Sequence, residues 1–349
     1  MIDASPVVEL PVVLREATSR MTLPVRAAVA GTGSYLPKKV LTNNDLQRRV
    51  DTNDQWIVSR TGIHERRVAA DDETTGSMAT MAARRACENA KVDPAQIELI
   101  IVATVSPDYP FPATACLVQH AIGARRAACF DLEAACSGFI YATAVAQGMI
   151  ASGAVRTALV IGAETMTRFV DFSDRCSCIL FGDGAGAVVF QAATDGSGVL
   201  HTNLGADGQG SNLMEIPGGG SRSPATADTV AGRQHFIHIE GKKVFKFATQ
   251  VFIDLLREAM RACELTADSV DLIIPHQVNL RIIEAAIKRV PLPMEKVYLN
   301  IGNYGNTSAA SVPIALDEAR RDGRLKPGDT AILVGFGAGL TWGSTVLKI

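Results

Sequence analysis

The chain has 349 residues, of which 47% are hydrophobic and 20% are charged, and 34 Lys and Arg against 36 Asp and Glu give a formal charge of −2. The near-neutral charge argues against nucleic acid as the main partner, because phosphate binding calls for a basic surface, and the low charged fraction argues against disorder. No apolar run reaches the roughly 18–20 residues that a membrane-spanning helix needs.

The chain begins Met-Ile-Asp-Ala-Ser-Pro, and this start lacks the basic segment that opens a signal peptide. Seven cysteines, an odd number without a secretory signal, predict reduced thiols in a cytoplasmic protein. We interpret residues 1–24 as an N-terminal extension before a first strand at 27–30, and Met21 is an alternative start.

Two apolar segments recur in the same order further along the chain. Residues 97–101 (IELII) match 270–274 (VDLII), and 157–162 (TALVIG) match 330–335 (TAILVG), in both cases 173 residues apart. A shared offset in a shared order is the sign of an internal repeat. We therefore predict two related halves, at 25–195 and 196–349.

Each half has the same coarse order of elements. A helix, at 76–90 and again at 244–263, precedes a continuous apolar strand, at 97–104 and again at 270–274. Continuous runs of Val, Ile and Leu that alternate with helices indicate strands buried on both faces of a largely parallel sheet. The pattern predicts an α/β/α layered body with two packed sheet units.

Cys136 follows a predicted strand at 128–132 and opens a helix, ending at 152, that is apolar on nearly every side. A thiol at a helix N-terminus feels the positive end of the helix dipole, which favours the thiolate, and small neighbours leave room for a substrate. Cys136 is therefore a candidate nucleophile. The alternative is a small buried hydrophobic residue, which is the usual role of a free cysteine.

His276 follows the strand at 270–274, within the segment PHQVN at 275–279. Because Pro275 cannot continue a strand ladder, we expect His276 at the carboxyl end of a parallel strand, where α/β sheets place their sites. Alternatively, it is a surface or hydrogen-bonded loop histidine. Asn279 also stands where the N-cap of a helix at 280–289 would be.

Asn306 follows a predicted strand at 297–301, and Gly305 beside it predicts a tight turn into a helix of small residues. By the repeat, Asn306 holds nearly the place in the second half that Cys136 holds in the first. Two such helix starts facing one another would bring a thiol and an amide into one pocket. A structural turn is the alternative, since asparagine is common in turns.

The glycine-rich segments have different sequence contexts. The cluster at 335–339 (GFGAG) comes after an apolar strand, and its free backbone N–H groups suit an oxyanion hole. The cluster at 182–186 leads into a strand rather than a helix, so it is not a dinucleotide-binding fingerprint. The segment 215–234, rich in Gly, Ser, Pro and Thr, predicts a loop. The Cys176 and Cys178 pair lacks two further ligands, which argues against zinc.

Together these residues resemble β-ketoacyl-[acyl-carrier-protein] synthase III, a thiolase-like family of condensing enzymes, over residues 27–349. The motifs that carry the resemblance are GTGSYLP at 31–37, WIVSRTGI at 56–63, ACSGF at 135–139, FGDGAG at 181–186, PHQVN at 275–279, GNTS at 305–308 and GAGLTWG at 337–343. The resemblance implies a thiolase-like fold, in which two pseudo-symmetric α/β halves pack as a layered αβαβα body.

The resemblance implies that Cys136, His276 and Asn306 form the catalytic triad of an acyltransferase. Cys136 would take an acyl group from a short acyl-CoA such as acetyl-CoA, with the backbone N–H groups of Cys136 and Ala338 as the oxyanion hole. His276 and Asn306 would bind the thioester carbonyl of malonyl-ACP, and the decarboxylative condensation would initiate fatty acid synthesis. No cofactor and no metal are expected.

The resemblance also implies binding positions. Those for CoA are Thr52, Trp56, Arg60, Arg175, Phe245 and Asn279. Phe111 matches a residue that reaches across a homodimer to floor the partner's acyl pocket, and Phe181 would line the same region. Basic side chains along a helix face suit the acidic acyl carrier protein, and they are Lys246, Arg281, Lys288 and Arg289. The alternative is a solvated helix face on which Glu284 pairs with Lys288.

Two alternatives remain open at this point. A related condensing enzyme of secondary metabolism would keep the fold and the triad but use a different acyl primer or acceptor. A non-catalytic, thiolase-like scaffold should lack part of the triad, whereas here all three residues and the glycine loop are present. The sequence therefore predicts a homodimeric, cytoplasmic condensing enzyme whose partners are acyl-CoA and acyl carrier protein, with neither nucleic acid nor membrane.

Overall fold

The structure is a computed structural model that describes residues 25–349, so the predicted extension at 1–24 and the alternative start at Met21 lie outside the described residues. The strands are β1 (Arg26–Tyr35), β2 (Lys39–Thr42), β3 (Glu65–Val68), β4 (Leu99–Ala103), β5 (Ala128–Leu132), β6 (Thr157–Thr165), β7 (Asp183–Ala193), β8 (Gly198–Ala206), β9 (Met214–Glu215), β10 (His238–Ile239), β11 (Leu272–Pro275), β12 (Thr330–Gly337) and β13 (Thr341–Lys348). The helices are α1 (Asn43–Gln47), α2 (Asp54–Thr61), α3 (Thr75–Ala90), α4 (Thr114–Ile122), α5 (Gly138–Ala151), α6 (Ala227–Ala231), α7 (Gly241–Ala262), α8 (Leu280–Ile287), α9 (Ile301–Tyr304) and α10 (Ser311–Arg321). Within this range no helix is both long and apolar enough to cross a bilayer.

Two sheets with the same strand order form the frame of the molecule. The first runs β1-β7-β6-β4-β5 and the second β8-β13-β12-β11. Leu99 of β4 lies opposite Ala158 of β6, and Leu272 of β11 lies opposite Ala331 of β12, so both partners of the pair are displaced by 173 residues. The offset of the sequence repeat is therefore also an offset in strand register. The boundary between residues 195 and 196 stays a prediction.

The sheets are mixed, and the expectation of largely parallel sheets holds for the direction of most strands but not for every pairing. β4 runs parallel to β5 and β6, and β11 runs parallel to β12, but β7 and β13 pair antiparallel with both of their neighbours. The apolar runs do not indicate the direction of a strand in its sheet, because a strand covered by helices on both faces is apolar whichever way it runs.

Alternate residues of the central strands face different helical layers. On β4, Leu99 and Ile101 face the layer that holds α5 and α10, whereas Ile100 belongs to the cluster with α3 and α4. On β11, Leu272 faces α5 and α10 while Ile273 faces α7 and α8. The layers are therefore helix, sheet, helix, sheet and helix, which confirms the predicted layered α/β fold.

The second sheet has only a remnant of a fifth strand. Val297 forms an isolated parallel bridge with Ile273, which corresponds by the 173-residue offset to the β4 residue that pairs with β5. Beyond it, the Gln277 side-chain Oε1 accepts hydrogen bonds from Asn300 N at 3.1 Å and Ile301 N at 3.2 Å, at the start of α9. The predicted strand at 297–301 is wrong because this side chain directs the backbone into a helical turn.

Two further boundaries differ from those predicted. Pro275 remains in β11 opposite Val334, and His276 N continues the pairing with a 2.7 Å hydrogen bond to Val334 O. The predicted loop at 215–234 begins in β9 and contains α6, whose N-cap Thr226 accepts a hydrogen bond from Thr229 N. A local capping box therefore organises a segment whose composition predicts only a loop.

Candidate active site

Two equivalent turns begin the helices between the sheets. A 3₁₀ turn at Ala135–Ser137 leads into α5, and another at Ser308–Ala310, 173 residues later, leads into α10. Ala135 and Ser308 have the left-handed φ values of 44° and 48°, a conformation that costs a non-glycine residue roughly 1–3 kcal/mol and that clusters at functional sites. Cys136 follows the first strained residue, and Asn306 lies two residues before the second.

Cys136 lies where the first turn meets the end of β12. Its side chain is 5% exposed. A Cβ at Gly337 would lie 2.9 Å from both the N and the Cβ of Cys136 and 3.2 Å from its Sγ, so only a glycine lets the β12 backbone approach this closely. From the second half, the Ser308 side chain lies close enough to the Cys136 thiol to lower its pKa. Both halves of the chain therefore enclose the thiol.

The Cys136 thiol is protonated at rest, contrary to the expectation that the helix start favours the thiolate. Burial raises the pKa of Cys136 to about 12, while the neighbouring Ser308 side chain lowers it and the nearby carboxylate of Glu164 raises it further. Desolvation is the largest of these effects because the thiol is almost completely enclosed. Its proton must therefore leave during any reaction in which Cys136 attacks.

Asn306 is held by a backbone turn and by its own side chain. Gly305 adopts a φ of 65°, and a Cβ there would lie 2.7 Å from Leu180 O. Asn306 N donates to Leu180 O at 2.8 Å, and its Oδ1 accepts from Ser308 N at 2.8 Å. With the amide oxygen engaged, Nδ2 is the group that Asn306 can offer as a donor. Phe181, only 3% exposed, forms a parallel bridge with Asn306.

His276 is completely buried, and its two ring nitrogens have different environments. Nδ1 lies 2.7 Å from Ser311 Oγ, which also accepts a 3.4 Å hydrogen bond from Gln277 N. Since Ser311 Oγ accepts from Gln277 N and its own proton is available to Nδ1, we assign the Ser311 proton to Nδ1 and the ring proton to Nε2. Within residues 25–349, Nε2 is buried without a hydrogen-bond partner. Burial lowers the pKa of His276 to about 3, so the ring is a neutral donor.

The glycine loop after β12 is tied to the turn that carries Cys136. Thr341 Oγ1 lies 2.9 Å from Ala338 O and 3.0 Å from Ala134 O, and it accepts a 2.8 Å hydrogen bond from Ser137 Oγ. These contacts hold Ala338 in register with the residues on either side of Cys136. They are the rigid support that backbone N–H groups need in order to act together on an oxyanion.

Four of the predicted CoA-binding residues form one cluster. The guanidinium groups of Arg60 and Arg175 lie over the Trp56 ring, at 4.8 Å and 4.3 Å from its centroid. Arg175 also forms an ion pair with Asp51 at 3.5 Å. The Thr52 hydroxyl is buried, and it has no hydrogen-bond partner among the described residues.

The other two predicted CoA-binding residues are Asn279, at the start of α8, and Phe245, in α7. Asn279 Oδ1 accepts a 2.9 Å hydrogen bond from Arg281 N, so this residue is the N-cap that the sequence also predicted. The Arg281 guanidinium lies 5.9 Å from the centroid of the Phe245 ring. A Cβ at Gly62, after α2, would lie 2.6 Å from the Cβ of Leu280, so the two clusters adjoin.

The predicted docking patch is exposed, and its position next to the second cluster follows from the Arg281–Phe245 contact. The four basic side chains at the start of α7 and along α8 are exposed, and they are Lys246, Arg281, Lys288 and Arg289. The alternative pairing of Glu284 with Lys288 is not among the ion pairs of residues 25–349. These four charges remain a predicted patch.

Phe111 does not enter the pocket of its own chain. It lies just before α4 and is 86% exposed, whereas Phe181, predicted for the same acyl pocket, is buried. The single chain therefore brings Phe181 to Asn306 but leaves Phe111 at the surface.

Sequence reasoning missed three residues that surround the triad. Ser311 sets the tautomer of His276, Thr341 supports the glycine loop, and Glu164 accepts a 2.9 Å hydrogen bond from Ser308. The signal for Glu164 was present, because a lone acid stands near the end of the otherwise uncharged strand β6. Among residues 25–349, no three His, Cys, Asp or Glu side chains are grouped so as to hold a metal ion.

Comparisons with known proteins agree in their result. Residues 130–208 match the family described as 3-oxoacyl-[acyl-carrier-protein] synthase III, and residues 260–349 match the family of its C-terminal part. A β-ketoacyl-[acyl-carrier-protein] synthase III of Desulfitobacterium hafniense is 52% identical over 93% of this chain and 98% of its own.

Solved structures are similar over the same range. A 3-oxoacyl-[acyl-carrier-protein] synthase III of Aquifex aeolicus has a TM-score of 0.86 and 45% identity over 93% of this chain and all of its own. The priming β-ketosynthase of the R1128 polyketide biosynthetic pathway has a TM-score of 0.87 and 36% identity, over 92% of this chain and 96% of its own.

Proposed function

The chain belongs to the β-ketoacyl-[acyl-carrier-protein] synthase III family, and from this membership we propose that it condenses a short acyl-CoA with malonyl-ACP to initiate fatty acid synthesis. Relatives about half identical over nearly their whole length carry that family name. The proposed reaction has two half-reactions, acylation of a thiol and decarboxylative condensation, and each uses a different part of the site.

In the first half-reaction, the Cys136 sulfur attacks the thioester carbonyl of acyl-CoA and expels the CoA thiol. The acyl group is then held as a thioester, which divides one difficult step into two. The backbone N–H groups of Cys136 and Ala338 stabilise the oxyanion, and the Thr341 contacts that hold Ala338 beside this turn support that role.

In the second half-reaction, His276 Nε2 and Asn306 Nδ2 donate hydrogen bonds to the thioester carbonyl of malonyl-ACP. Loss of CO₂ leaves an enolate, whose negative charge these two donors stabilise. The carbanion attacks the acyl-cysteine and releases β-ketoacyl-ACP together with the Cys136 sulfur. This chemistry uses only side chains and substrates, so we propose no resident cofactor and no metal.

One observation carries the proposal. His276 Nε2 is buried without a partner within residues 25–349, although buried polar groups are nearly always hydrogen-bonded. A neutral ring whose donor lacks an acceptor suits a substrate carbonyl that arrives from outside the protein. The Phe336 ring lies 5.7 Å from the His276 ring, centroid to centroid. The next residue, Gly337, packs against Cys136, so Phe336 and Gly337 lie between the donor and the nucleophile.

We also propose where the substrates bind. The Trp56, Arg60 and Arg175 cluster offers an aromatic ring and two cations to the adenine and phosphates of CoA. Thr52, Phe245 and Asn279 complete that site, and the basic patch of Lys246, Arg281, Lys288 and Arg289 receives the acidic carrier protein. Seven free thiols support a reducing, cytoplasmic location.

A homodimer is the assembly that we propose. β5 is the edge strand of the first sheet, and its residue Phe130 is 36% exposed. Two aromatic side chains in the segment before α4 are also exposed, Phe111 to 86% and Tyr109 to 56%. A second copy packed here would cover these aromatic rings and place Phe111 at the partner's acyl pocket.

The similarity to the R1128 priming ketosynthase favours a second candidate. A priming enzyme of secondary metabolism would keep the fold and the triad but select a different acyl group or acceptor. Rates with a panel of acyl-CoAs, measured with malonyl-ACP and with malonyl-CoA, separate the two candidates. Preference for acetyl-CoA and malonyl-ACP supports the primary function, and preference for a longer primer or for malonyl-CoA supports the alternative.

Mass spectrometry of the intact protein tests the acylation half-reaction. Incubation with acetyl-CoA should add one acetyl group to the protein, and Cys136→Ala should abolish this addition because the nucleophile is lost. Cys87→Ala is the matched control, since Cys87 is also buried, but in α3 on the outer face of the first sheet, and it should leave acetylation unchanged. A wild-type protein that stays unmodified would contradict the proposed function.

A further inference from the structure

Glu164 is a buried acid that neither half-reaction uses. It lies near the end of β6 with none of its surface exposed. Its carboxylate accepts hydrogen bonds from Thr104 Oγ1 at 3.1 Å, Val105 N at 3.1 Å and Ser106 Oγ, in addition to Ser308 Oγ. Within residues 25–349 no Lys, Arg or His side chain hydrogen-bonds to it or forms an ion pair with it. Burying a carboxylate without a cation is costly, and hydrogen bonds offset only part of that cost.

Ser308 connects this acid to the nucleophile. Its hydroxyl donates to Glu164 Oε1 at 2.9 Å, and the same side chain lies close enough to the Cys136 thiol to lower its pKa. The strained φ of 48° at Ser308 places this residue between two groups that lie 28 positions apart in the first half of the chain. The three side chains form a continuous line from thiol to hydroxyl to carboxylate.

Acylation needs such a line, because the thiol must lose its proton when it attacks. His276 is a poor acceptor for that proton. We assign its Nδ1 as already accepting from Ser311 and its Nε2 as carrying a proton, and burial lowers the pKa of the ring to about 3. A different base is therefore required within hydrogen-bonding reach of Cys136.

We propose that Glu164 is a positioning residue that receives the Cys136 proton through the Ser308 hydroxyl during acylation and returns it when the product leaves. Cys136 gives its proton to Ser308 Oγ as Ser308 gives its own proton to Glu164 Oε1, and the sulfur forms the thioester bond as the bond to CoA breaks. This inference rests on the proposed function.

The proton count closes over the whole cycle. The CoA thiolate takes one proton from solvent, and the enolate formed by loss of CO₂ uses its electron pair to form the new carbon–carbon bond. Collapse of the tetrahedral intermediate releases the Cys136 thiolate, which recovers its proton from Glu164 through Ser308. Each turnover therefore consumes one solvent proton, and Glu164 ends in the state in which it began.

The charge of Glu164 allows a sharp distinction between a relay and a structural role. The carboxylate raises the pKa of Cys136, so a carboxylate that only supports the fold would hinder the thiolate. Glu164→Gln keeps the size of the side chain and removes the charge. The Cys136 thiol of this variant should react more slowly than that of the wild type if Glu164 is the proton acceptor. If Glu164 is not the acceptor, the thiol should react equally fast or faster.

The groups that face Glu164 define its titration. Burial raises the pKa of Glu164 to about 7, while the hydrogen bonds from Ser106, Ser308, Val105 and Thr104 lower it. The end of β4 presents hydroxyls and a backbone N–H, the turn at 308–310 presents a hydroxyl, and the turn at 135–137 presents Cys136. Above the midpoint the acid is ionised and can accept a proton, so the reaction rate should rise with pH and level off above about 7.

The experiment measures two rates against pH, single-turnover acetylation by acetyl-CoA and alkylation of Cys136 by iodoacetamide, read from the peptide that contains Cys136. In the wild-type protein both should rise to a plateau with a midpoint near pH 7. Glu164→Gln should lose the plateau and react at least about 100-fold more slowly at neutral pH, the usual size of a general-base effect. A Gln variant that reacts as fast as wild type would overturn the proposal.

Two further variants keep the test independent of any damage to folding. Ser308→Ala breaks the line without touching the acid, and Ala135 already occupies the equivalent strained position in the first half, so alanine suits this geometry. It should show the same loss as Glu164→Gln. Ser106→Ala removes a hydrogen bond that lowers the pKa of Glu164, so the midpoint should move to higher pH with the plateau kept, and an unmoved midpoint would contradict the relay.

Failure of the proposed function remains distinguishable from failure of this inference. If acetyl-CoA does not modify the wild-type protein, the proposed function fails, whereas alkylation by iodoacetamide still reports whether Glu164 controls the thiol. The exposed Cys116 and Cys176 serve as internal standards in the alkylation, because their rates should be the same in every variant.

Discussion

His276 and Asn306 each keep one donor available, because a neighbouring side chain or backbone group engages the other polar atom of the side chain. Ser311 occupies His276 Nδ1, and Ser308 N occupies Asn306 Oδ1. The geometry thus leaves His276 Nε2 and Asn306 Nδ2 as the available donors, and we propose that both bind one substrate carbonyl. At the residue scale, function depends on which of two similar atoms is satisfied internally, and a sequence motif does not report that.

The residue-scale prediction concerns the second half-reaction. His276→Ala and Asn306→Ala should each slow decarboxylation of malonyl-ACP by about 100–1,000-fold, since each removes a donor to the developing enolate. Acetylation of Cys136 by acetyl-CoA should persist in both. Release of CO₂ and the mass of the intact protein measure the two steps separately.

Asn303→Ala is the control for these variants, since Asn303 is an exposed amide in α9, close in sequence to the site. It should leave both half-reactions unchanged. If His276→Ala or Asn306→Ala abolished acetylation as completely as decarboxylation, the assignment of these donors to the malonyl step would be wrong.

At the scale of elements, α8 has two roles along its length. Its first turn, capped by Asn279, adjoins the proposed CoA site, while its C-terminal end carries Lys288 and Arg289 into solvent. Exposed charges of one sign attract an oppositely charged partner over about a Debye length, near 10 Å at 0.1 M salt. Substitutions at the far end of α8 should therefore affect the carrier protein and spare CoA.

We expect Lys288→Glu/Arg289→Glu to raise the KM for malonyl-ACP by about 10-fold at low salt, with a smaller effect at high salt where the charges are screened. The rate of Cys136 acetylation by acetyl-CoA should be unchanged. Steady-state kinetics at two salt concentrations measure the effect.

The matched charge reversal is Lys38→Glu/Lys39→Glu, at an exposed adjacent pair where β2 begins. It changes the net charge by the same amount and should leave the KM near that of wild type. An equal rise in both double variants would indicate a net-charge effect rather than a docking site on α8.

The elements also show how far periodicity reaches. The helices predicted at 76–90 and 244–263 are α3 and α7 to within three residues, and the strand predicted at 128–132 is β5. The strand predicted at 297–301 has the same apolar character, but one side chain, that of Gln277, captures its backbone and starts α9. The local pattern of apolar residues therefore indicates burial. It does not determine the backbone conformation, which a single side chain distant in sequence can change.

At the scale of the whole molecule, the first sheet has an exposed edge on which we propose that a second copy of the chain packs. An unpaired edge strand with exposed aromatic residues invites pairing. β5 carries the exposed Phe130, and the exposed Phe111 lies three residues before Thr114, whose N–H donates to Asp131 of β5 at 2.6 Å. We expect Phe130→Glu to shift the protein from dimer to monomer, because a charge buried in an interface is costly. Sedimentation velocity measures the change, and condensing activity should fall with it, since the partner's Phe111 is withdrawn.

Val40→Glu provides the comparison for this variant. Val40 is an apolar residue of β2 with the same exposure, 37% against 36% for Phe130, and its replacement should leave the protein dimeric. A Phe130→Glu protein that stays dimeric would place the interface elsewhere and remove the reason for assigning Phe111 to a partner's pocket.

The sequence by itself determined the layers and the repeat, and it predicted which thiol is the nucleophile. Apolar runs mark buried strands wherever helices cover both faces, the 173-residue offset recurs as strand register, and motifs at fixed places carry the resemblance to condensing enzymes. Only the tertiary structure decided the protonation of the site. Burial, which depends on the packing of both halves, raises the pKa of Cys136 and lowers that of His276. The link from Cys136 through Ser308 to Glu164 joins residues from three separate elements, and their meeting depends on how the two sheets pack.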